Sequence, residues 1–377
     1  MPKHALLSAS SSSRWINCPP SARLGENFPN KSSEYAAQGT DAHSLCEYKV
    51  HKLLGDNPIY PELQYLDEEM EECTDAYAQY VMGELAKARQ MTSDPVVIVE
   101  QRLDFSRYVP EGFGTGDCLI IADDTLSVID MKYGLGVLVE AEGNPQMMCY
   151  ALGALELFDG IYDINQVKMT IFQPRRENIS THIISKEDLI KWAEEVLAPS
   201  AKIAYEGGGE FKCGKWCKFC PAKNVCRKRA EHNLELAQYE FKPPELLEDV
   251  EIEGVLERVD DLVSWVNDIK EYAFQQAMSG KHWSNYKLVR GRSTRKYKDE
   301  ELVATIVTNA GFDPFEKKLL GITAMTKALG KKHFDELLGG LIEKPKGKLT
   351  LVPVTDKRQA VDVTNVNDDF NDLTEEN

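Results

Sequence analysis

The chain has 377 residues and no apolar run near the roughly 20 residues that a membrane-spanning helix needs. Its opening stretch, MPKHALLSASSSS, lacks the apolar segment of a secretory signal. A phosphate loop of the G-x4-G-K-[ST] type is missing, so an ATP-driven motor is not expected. Internal repeats are missing as well. Basic residues do not predominate: 44 Lys and Arg stand against 61 Asp and Glu, a net charge of −17. Taken as a sum, that charge argues against a polyanionic partner. The expectation from these absences is a cytoplasmic protein with no membrane partner.

What is present alters the charge argument. From Lys212 to Arg229 there are seven Lys or Arg and no acid, and from Lys281 to Lys298 there are seven more. The second island, KHWSNYKLVRGRSTRKYK, interleaves cations with Trp283, Tyr286 and Tyr297, as single-strand-binding grooves do. Lys287, Arg290, Arg292, Arg295 and Lys296 are its candidate nucleic-acid contacts, and a solvated hairpin face is the plainer account of the same residues. After Arg358 the tail carries six acids and no base. An acidic chain with two clean basic islands can still bind a polyanion, and its overall acidity limits non-specific adhesion.

Hydrophobic residues make up 42% of the chain, enough for a substantial core. QGTDAHSLCEYKVHKLL (38–54) reads as a helix entered at Thr40 or Asp41, and a second helix is expected from about Asp67 to Ala88. PVVIVEQRLDF (95–105) is β-branched. GTGDCLIIADDTLSVIDMKYG (114–134) is two apolar runs split by Asp123-Asp124, a hairpin signal. NPQMMCYALGALELF (144–158) has helical spacing with Pro145 in the first turn. INQVKMTIFQP (164–174) reads as a strand and 185–208 as a helix capped by Ser185. The fold class expected is α/β: a mixed central sheet flanked by helices, with a mostly helical C-terminal extension. Boundaries are placed at 1–240 for the main domain, 241–360 for the extension and 361–377 for an acidic, disordered tail. One long amphipathic helix is expected over Glu251–Ser279, its apolar face running from Ile252 through Val255, Val259, Leu262, Val266 and Ile269 to Ala273.

The hairpin carries the chemistry. A two-residue turn at Asp123-Asp124 pairs residues whose numbers sum to 247, which sets Asp117 opposite Asp130 with Lys132 on the same face. Two opposed carboxylates in an apolar setting repel unless a cation lies between them, and an all-oxygen ligand set suits Mg²⁺ or Mn²⁺. A lysine beside them can orient a water or stabilise charge on a phosphate. A cross-strand Asp–Lys ion pair at a sheet edge fits the same spacing. Glu100, on the preceding strand, can face the same place.

The nine cysteines do not suggest disulfides in a reducing compartment. Four crowd into CGKWCKFCPAKNVC as Cys213, Cys217, Cys220 and Cys226. They read as a structural Zn²⁺ site or as iron–sulfur ligands; proline follows Cys220, and it also follows Cys18 near the N-terminus.

These fragments, in this order, resemble the PD-(D/E)XK nuclease superfamily. GTGDCLIIADDTLSVIDMK resembles its core Asp, hairpin and Asp-x-Lys, here Asp117, Asp130 and Lys132. GTDAHSLCE resembles the Gly-Thr-x-x-His segment of the RecB-type branch, which implies His43 as a further metal ligand. QMMCY resembles that branch's Gln-x-x-x-Tyr, which implies Gln146 and Tyr150 lining the active site against DNA. AddB-like and CRISPR-associated members carry a [4Fe–4S] cluster on one N-terminal and three C-terminal cysteines. The resemblance implies Cys18, Cys217, Cys220 and Cys226 as its ligands, leaving Cys213 as an alternative ligand and Zn²⁺ as the alternative metal.

Most of the chain also resembles a phage- and prophage-encoded family of unassigned function. The expectation that follows is a metal-dependent deoxyribonuclease, an exonuclease serving phage recombination or replication, with DNA and a single-strand-binding or annealing protein as partners. A non-catalytic DNA-binding module is the first rival and leaves the Asp–Asp–Lys set unexplained. A redox protein is the second, and nothing in the sequence suggests a flavin or nucleotide site for it.

Overall fold

A computed structural model describes residues 5–28, 34–235, 248–289, 297–315 and 319–342, with positions 352 and 359. The chain divides into two units, residues 1–279 and 280–377. The boundary expected at 240 therefore falls some way later, after the long helix of the extension.

The first unit is an α/β fold around one five-stranded sheet in the order β1-β2-β3-β4-β5. The strands are β1 (Val96–Asp104), β2 (Phe113–Ala122), β3 (Thr125–Met131), β4 (Gln166–Gln173) and β5 (Asn178–Ser185). All neighbours are antiparallel except β3 and β4, which run parallel. A parallel pair needs a crossover, and the helix over Pro145–Phe158 supplies it. Asn144 caps that helix by accepting from Gln146 N and Met147 N, with Pro145 in the first turn where no N–H is needed.

The β2–β3 register is the one expected. Cys118 pairs with Ile129 and Ala122 with Thr125, and Asp123 takes the left-handed φ of 54° that a tight hairpin turn demands. Strand alternation then sorts the side chains. Leu119, Ile121, Leu126 and Val128 pack with the crossover helix in one buried cluster. Cys118, Ile120, Ile129 and Met131 pack on the other face in a second.

In chain order the helices of this unit begin with α1 (Ser12–Asn17) and α2 (Ser21–Gly25), then α3 (Glu34–Leu54) and α4 (Glu68–Met91). The crossover is α5; α6 (Lys186–Trp192), α7 (Ala198–Glu206), α8 (Arg227–Leu234), α9 (Asp249–Leu256) and α10 (Val259–Met278) follow. Helices α3 and α4 cover the second face; α4 starts where expected, and Asp67 caps it by accepting from Met70 N.

Several expectations need correction. Thr40 and Asp41 lie inside α3 and do not cap it. Thr40 Oγ1 donates to Ala36 O one turn back, and the Asp41 carboxylate accepts from Gln64 N and Tyr65 N, fastening a distant loop. Strand β5 escaped notice because NISTHIIS is short and half polar. It is an edge strand whose residues alternate between exposed and half-buried. The expected single helix 185–208 is α6 and α7 joined by a wide π turn over Ala193–Leu197, just before Pro199, which has no N–H to donate. The helix expected over 251–279 breaks into α9 and α10 near Glu257-Arg258, and its apolar stripe is half-buried to exposed. Short helices α1 and α2 were also not anticipated. They bury Trp15 fully, and Arg23 Nε donates to Tyr205 O on α7 at 2.7 Å.

The second unit is helical over the described residues, with α11 (Glu300–Asn309), α12 (Ile322–Leu329) and α13 (Lys331–Leu338). Residues 290–296 lie outside the described residues, and with them Arg290, Arg292, Arg295 and Lys296, as does the tail from 361. Lys287 is exposed, and Trp283 and Tyr286 pair in a single β-bridge under Lys281, whose Nζ sits 4.2 Å from the Trp283 ring centre. No described helix is long and apolar enough to cross a membrane.

Candidate metal and cysteine sites

The hairpin ladder stops one pair short of the carboxylates. The last β2–β3 partners are Cys118 and Ile129. Beyond them β3 stays with β4, where Met131 pairs with Phe172 and Lys132 N donates to Phe172 O. β2 parts from it, and the Asp117 carboxylate fills the gap by accepting from Met131 N at 2.7 Å.

The β1–β2 ladder is interrupted at the same level. Val99 pairs with Cys118 and Gln101 with Gly116, while Glu100, which would face Asp117, adopts a φ of 52° and leaves the ladder. A left-handed backbone at a non-glycine strand residue is strained, and such strain is concentrated where function needs a side chain aimed off-register. Glu100, Asp117 and Asp130 thus form one row across three strands at the open end of the hairpin.

Helix α3 brings His43 to this row from the opposite layer. Its Nδ1 lies 3.2 Å from Asp117 Oδ1. His43, Glu100 and Asp117 each offer a ligand atom, all within 4.8 Å of one another. Asp130 sits deeper, 2% exposed, with Lys132 Nζ 2.6 Å from its Oδ2. The Lys132 ammonium is thus the partner of the buried Asp130 Oδ2.

The electrostatics reflect an excess of buried negative charge. Burial works against a charged imidazole at His43, yet Asp117 beside it prevails and holds its pKa up at about 9. Burial also opposes the Asp117 carboxylate, but His43, Lys132 and the Met131 N–H together keep its pKa below the usual range. At Glu100, burial and then the Asp117 charge raise the pKa to about 7. At Asp130 burial again leads, Lys132 opposes it and Asp117 adds to it, for a net upward shift. Three carboxylates share two cations here, an imbalance that a divalent ion would remove.

Sequence reasoning missed Glu47. It follows His43 by one turn of α3, and its charge contributes to the upward shift of Glu100. The i,i+4 spacing of His43 and Glu47 was the available signal.

On α5, Gln146 Nε2 donates to Tyr150 Oη at 3.0 Å. Tyr150 is buried and Gln146 half-buried, so Gln146 is the more accessible member of the pair. Tyr150 lies over Gly114 of β2, where an added Cβ would stand 2.6 Å from Tyr150 Cε1.

The second site gathers cysteines from both ends of the unit. Cys18, Cys217, Cys220 and Cys226 line one cavity together with Arg14, Lys223 and Arg229. Lys212 N donates to Cys18 Sγ at 3.5 Å across 194 residues of chain. Cys213 is not part of that lining; its Sγ is 3.8 Å from Cys217 Sγ. The contact with Cys213, opposed by burial and helped by Gly214 N–H and Arg229, lowers the Cys217 pKa to about 6. Arg229 is buried and pairs with Asp268 at 2.6 Å, which also takes Lys223 at 2.7 Å. Through Asp268, α10 is tied to the cysteine segment, the physical reason that the unit runs on to residue 279. Among the described residues, no three sulfurs lie within 4.8 Å of one another. A single tetrahedral zinc with bonds of about 2.3 Å requires sulfurs about 3.8 Å apart.

Compared with known proteins, residues 4–359 match a family described as "Protein of unknown function (DUF2800)". A solved structure titled "Crystal structure of SSO0001" aligns with 49% of this chain and 95% of that chain, at 12% identity and a TM-score of 0.22. A likeness at that score carries no argument about fold or function.

Proposed function

The chain belongs to the DUF2800 family, and from that premise, which assigns no activity, we propose that it is a metal-dependent deoxyribonuclease with the PD-(D/E)XK arrangement, probed most directly on linear DNA. One observation carries the reading: Glu100, Asp117 and Asp130 stand in a row where both ladders open, with His43 and Lys132 beside them. A structural ion pair needs only one acid per base. It does not account for a strained Glu100 or for three carboxylates gathered around His43 and Lys132.

The donor set fits Mg²⁺ or Mn²⁺: His43, Glu100 and Asp117 bring ligand atoms together and would hold it, with Asp130 next in the row as a further carboxylate. Bound there, the cation would offset charge on a phosphodiester and activate water, the usual contribution of such ions. The chain's own residues do the rest. Asp130 anchors the Lys132 ammonium, which points a positive charge and N–H donors toward the phosphate and its attacking water. Gln146, held by Tyr150, offers a further donor to the same groups. The non-catalytic DNA-binding reading leaves this row without a purpose, because binding a polyanion is not aided by buried carboxylates.

The cysteine cavity fits a [4Fe–4S] cluster on Cys18, Cys217, Cys220 and Cys226 better than a single zinc. Cys18 joins Cys217, Cys220 and Cys226 in its lining, the one-plus-three arrangement that the resemblance implies, and Arg14 beside them adds positive charge that an anionic cluster favours. Such a cluster would join the N-terminal segment to the end of the nuclease core. An exonuclease working in phage recombination or replication, in the cytoplasm and alongside a single-strand-binding or annealing protein, is the setting that the resemblance favours.

The test is cleavage of linear and circular DNA by anaerobically purified protein in Mg²⁺ or Mn²⁺. Metal-dependent cleavage, lost in Asp130→Asn and Lys132→Ala with folding intact, is expected. Cleavage persisting in both variants overturns the assignment, and a colourless zinc-bound protein overturns the cluster.

A further inference from the structure

The loop that leaves the active site displays apolar side chains to solvent, yet its backbone is tightly held. Gly134 to Leu138 directly follow Lys132 and Tyr133 and are all exposed, with Leu135 48%, Val137 38% and Leu138 44% accessible. Buried Gln173 at the end of β4 gives its amide to this segment: Nε2 donates to Gly134 O and Val137 O at 2.8 Å, and Oε1 accepts from Val139 N. Arg176 donates to Leu135 O and Lys218 to Gly136 O. A merely connecting loop does not need a buried glutamine, an arginine and a lysine to fix five exposed residues. An added Cβ at Gly134 or Gly136 would meet no protein atom, so both glycines face open space, where a ligand's own backbone can approach.

Lys218 connects this tip to an aromatic. It lies in the short turn Lys215–Phe219 between the cysteines, and its Nζ is 6.0 Å from the Phe219 ring centre while reaching Gly136 O at 3.3 Å. Phe219 is 70% exposed, and Lys215 and Lys218 are exposed beside it in sequence. Among the described residues, Arg176, Lys215 and Lys218 have no carboxylate partner, whereas Lys223 and Arg229 of the same segment are both taken by Asp268. One surface therefore combines an exposed ring, three apolar side chains and uncompensated cations, starting at the proposed catalytic lysine.

We infer that the 134–138 loop and Phe219 form a stacking platform for unpaired bases of single-stranded DNA, with Lys215, Lys218 and Arg176 following its phosphates. The inference rests on the nuclease reading and narrows its substrate to a single strand or a frayed end. Aromatic platforms beside cationic tracks bind single strands because every base has a face to stack, while phosphate contacts alone do not distinguish bases from their absence.

Binding of the full-length protein, without divalent metal, is measured by fluorescence anisotropy with labelled oligo(dT) and with an abasic strand of equal length. The wild type should prefer the base-bearing strand by about five- to a hundredfold. Phe219→Ala, and separately Leu135→Ser with Leu138→Ser, should reduce that preference by about fivefold or more and leave abasic binding unchanged. Lys215→Met should weaken both strands alike and lower the salt slope by about one. Equal wild-type affinity for the two strands, or an undiminished preference in both platform variants, overturns the inference, and so does an apolar protein surface competing for the tip while DNA does not bind. Cleavage distinguishes the two readings. Base-dependent binding without cleavage in Mg²⁺ or Mn²⁺ would defeat the nuclease and leave the platform. Cleavage with base-indifferent binding would do the reverse.

Discussion

Replacing Cys18 with alanine removes the one thiol in the cysteine cavity that comes from the far end of the unit. The remaining contacts of its neighbourhood do not depend on it: Trp15 is fully buried, Arg14 Nη1 donates to Ser21 O, and Arg23 holds Tyr205 O. The variant should therefore fold and keep α1 and α2 docked, losing only the closure that the proposed cluster would make. A cluster joining Cys18 to Cys217 closes a loop of about 200 residues, for which chain-entropy reasoning gives about 5 kcal/mol of stabilisation at most. Total stabilities are typically about 5–15 kcal/mol, so the loss should be plain in denaturant unfolding. Iron per chain and the urea midpoint are measured anaerobically for wild type, Cys18→Ala and Cys213→Ala. Cys18→Ala should lose iron and shift the midpoint downward, and Cys213→Ala should keep both near wild type. Full iron and an unmoved midpoint in Cys18→Ala would refute the four-ligand assignment, and iron loss confined to Cys213→Ala would move the site into the C-terminal segment alone.

Three further outcomes are expected. Gly114→Ala drives a Cβ into the Tyr150 ring and should destabilise the fold by about 1–3 kcal/mol in chemical denaturation; it should also lower cleavage by displacing Gln146, and wild-type stability would show that the ring has room to move. Glu84, buried between Lys168 at 2.5 Å and Lys87 at 2.7 Å, has its pKa lowered because the two lysines outweigh burial. A depressed carboxylate stabilises above its unfolded pKa and loses that contribution as pH falls through the folded value. Lys168→Met should therefore cost about 1–3 kcal/mol at neutral pH and move the onset of acid unfolding to higher pH, and superimposable pH–stability curves would dismiss the pair as a contributor. Chelation by EDTA should abolish cleavage and Mn²⁺ should restore it, while restoration by no divalent ion would exclude the carboxylate row as the metal site.

Much of the core could be read from the residues because its signals are local. The Asp123-Asp124 turn, with apolar alternation on both sides, sets the 247 register from Ala122–Thr125 to Cys118–Ile129, and extending that register by one pair brings Asp117 and Asp130 to the same end of the hairpin. Ser185 and the first-turn Pro145 announce their helices because a cap or an N-terminal proline acts within a few residues. Strand β5 was harder to see, since an edge strand keeps one face in water and shows little apolar signal. The break near Glu257-Arg258 has no glycine or proline to mark it. The Thr40 and Asp41 reading failed because a capping residue type inside a helix can serve a loop elsewhere, as Asp41 does.

The residues by themselves determined the hairpin and its acids, the helix over 144–158, and the crowding of four cysteines, all of which follow from turn chemistry, periodicity and spacing. Only the tertiary structure decided that β2 and β3 part at Asp117, that Glu100 leaves its ladder at that level, and that His43 reaches the row from α3. It likewise decided that Cys18, not Cys213, shares the cavity with Cys217, Cys220 and Cys226. These are contacts between segments tens to hundreds of residues apart, and no local propensity encodes them. They arise when apolar burial on the two faces of one sheet brings the layers, and the side chains they carry, to a common edge.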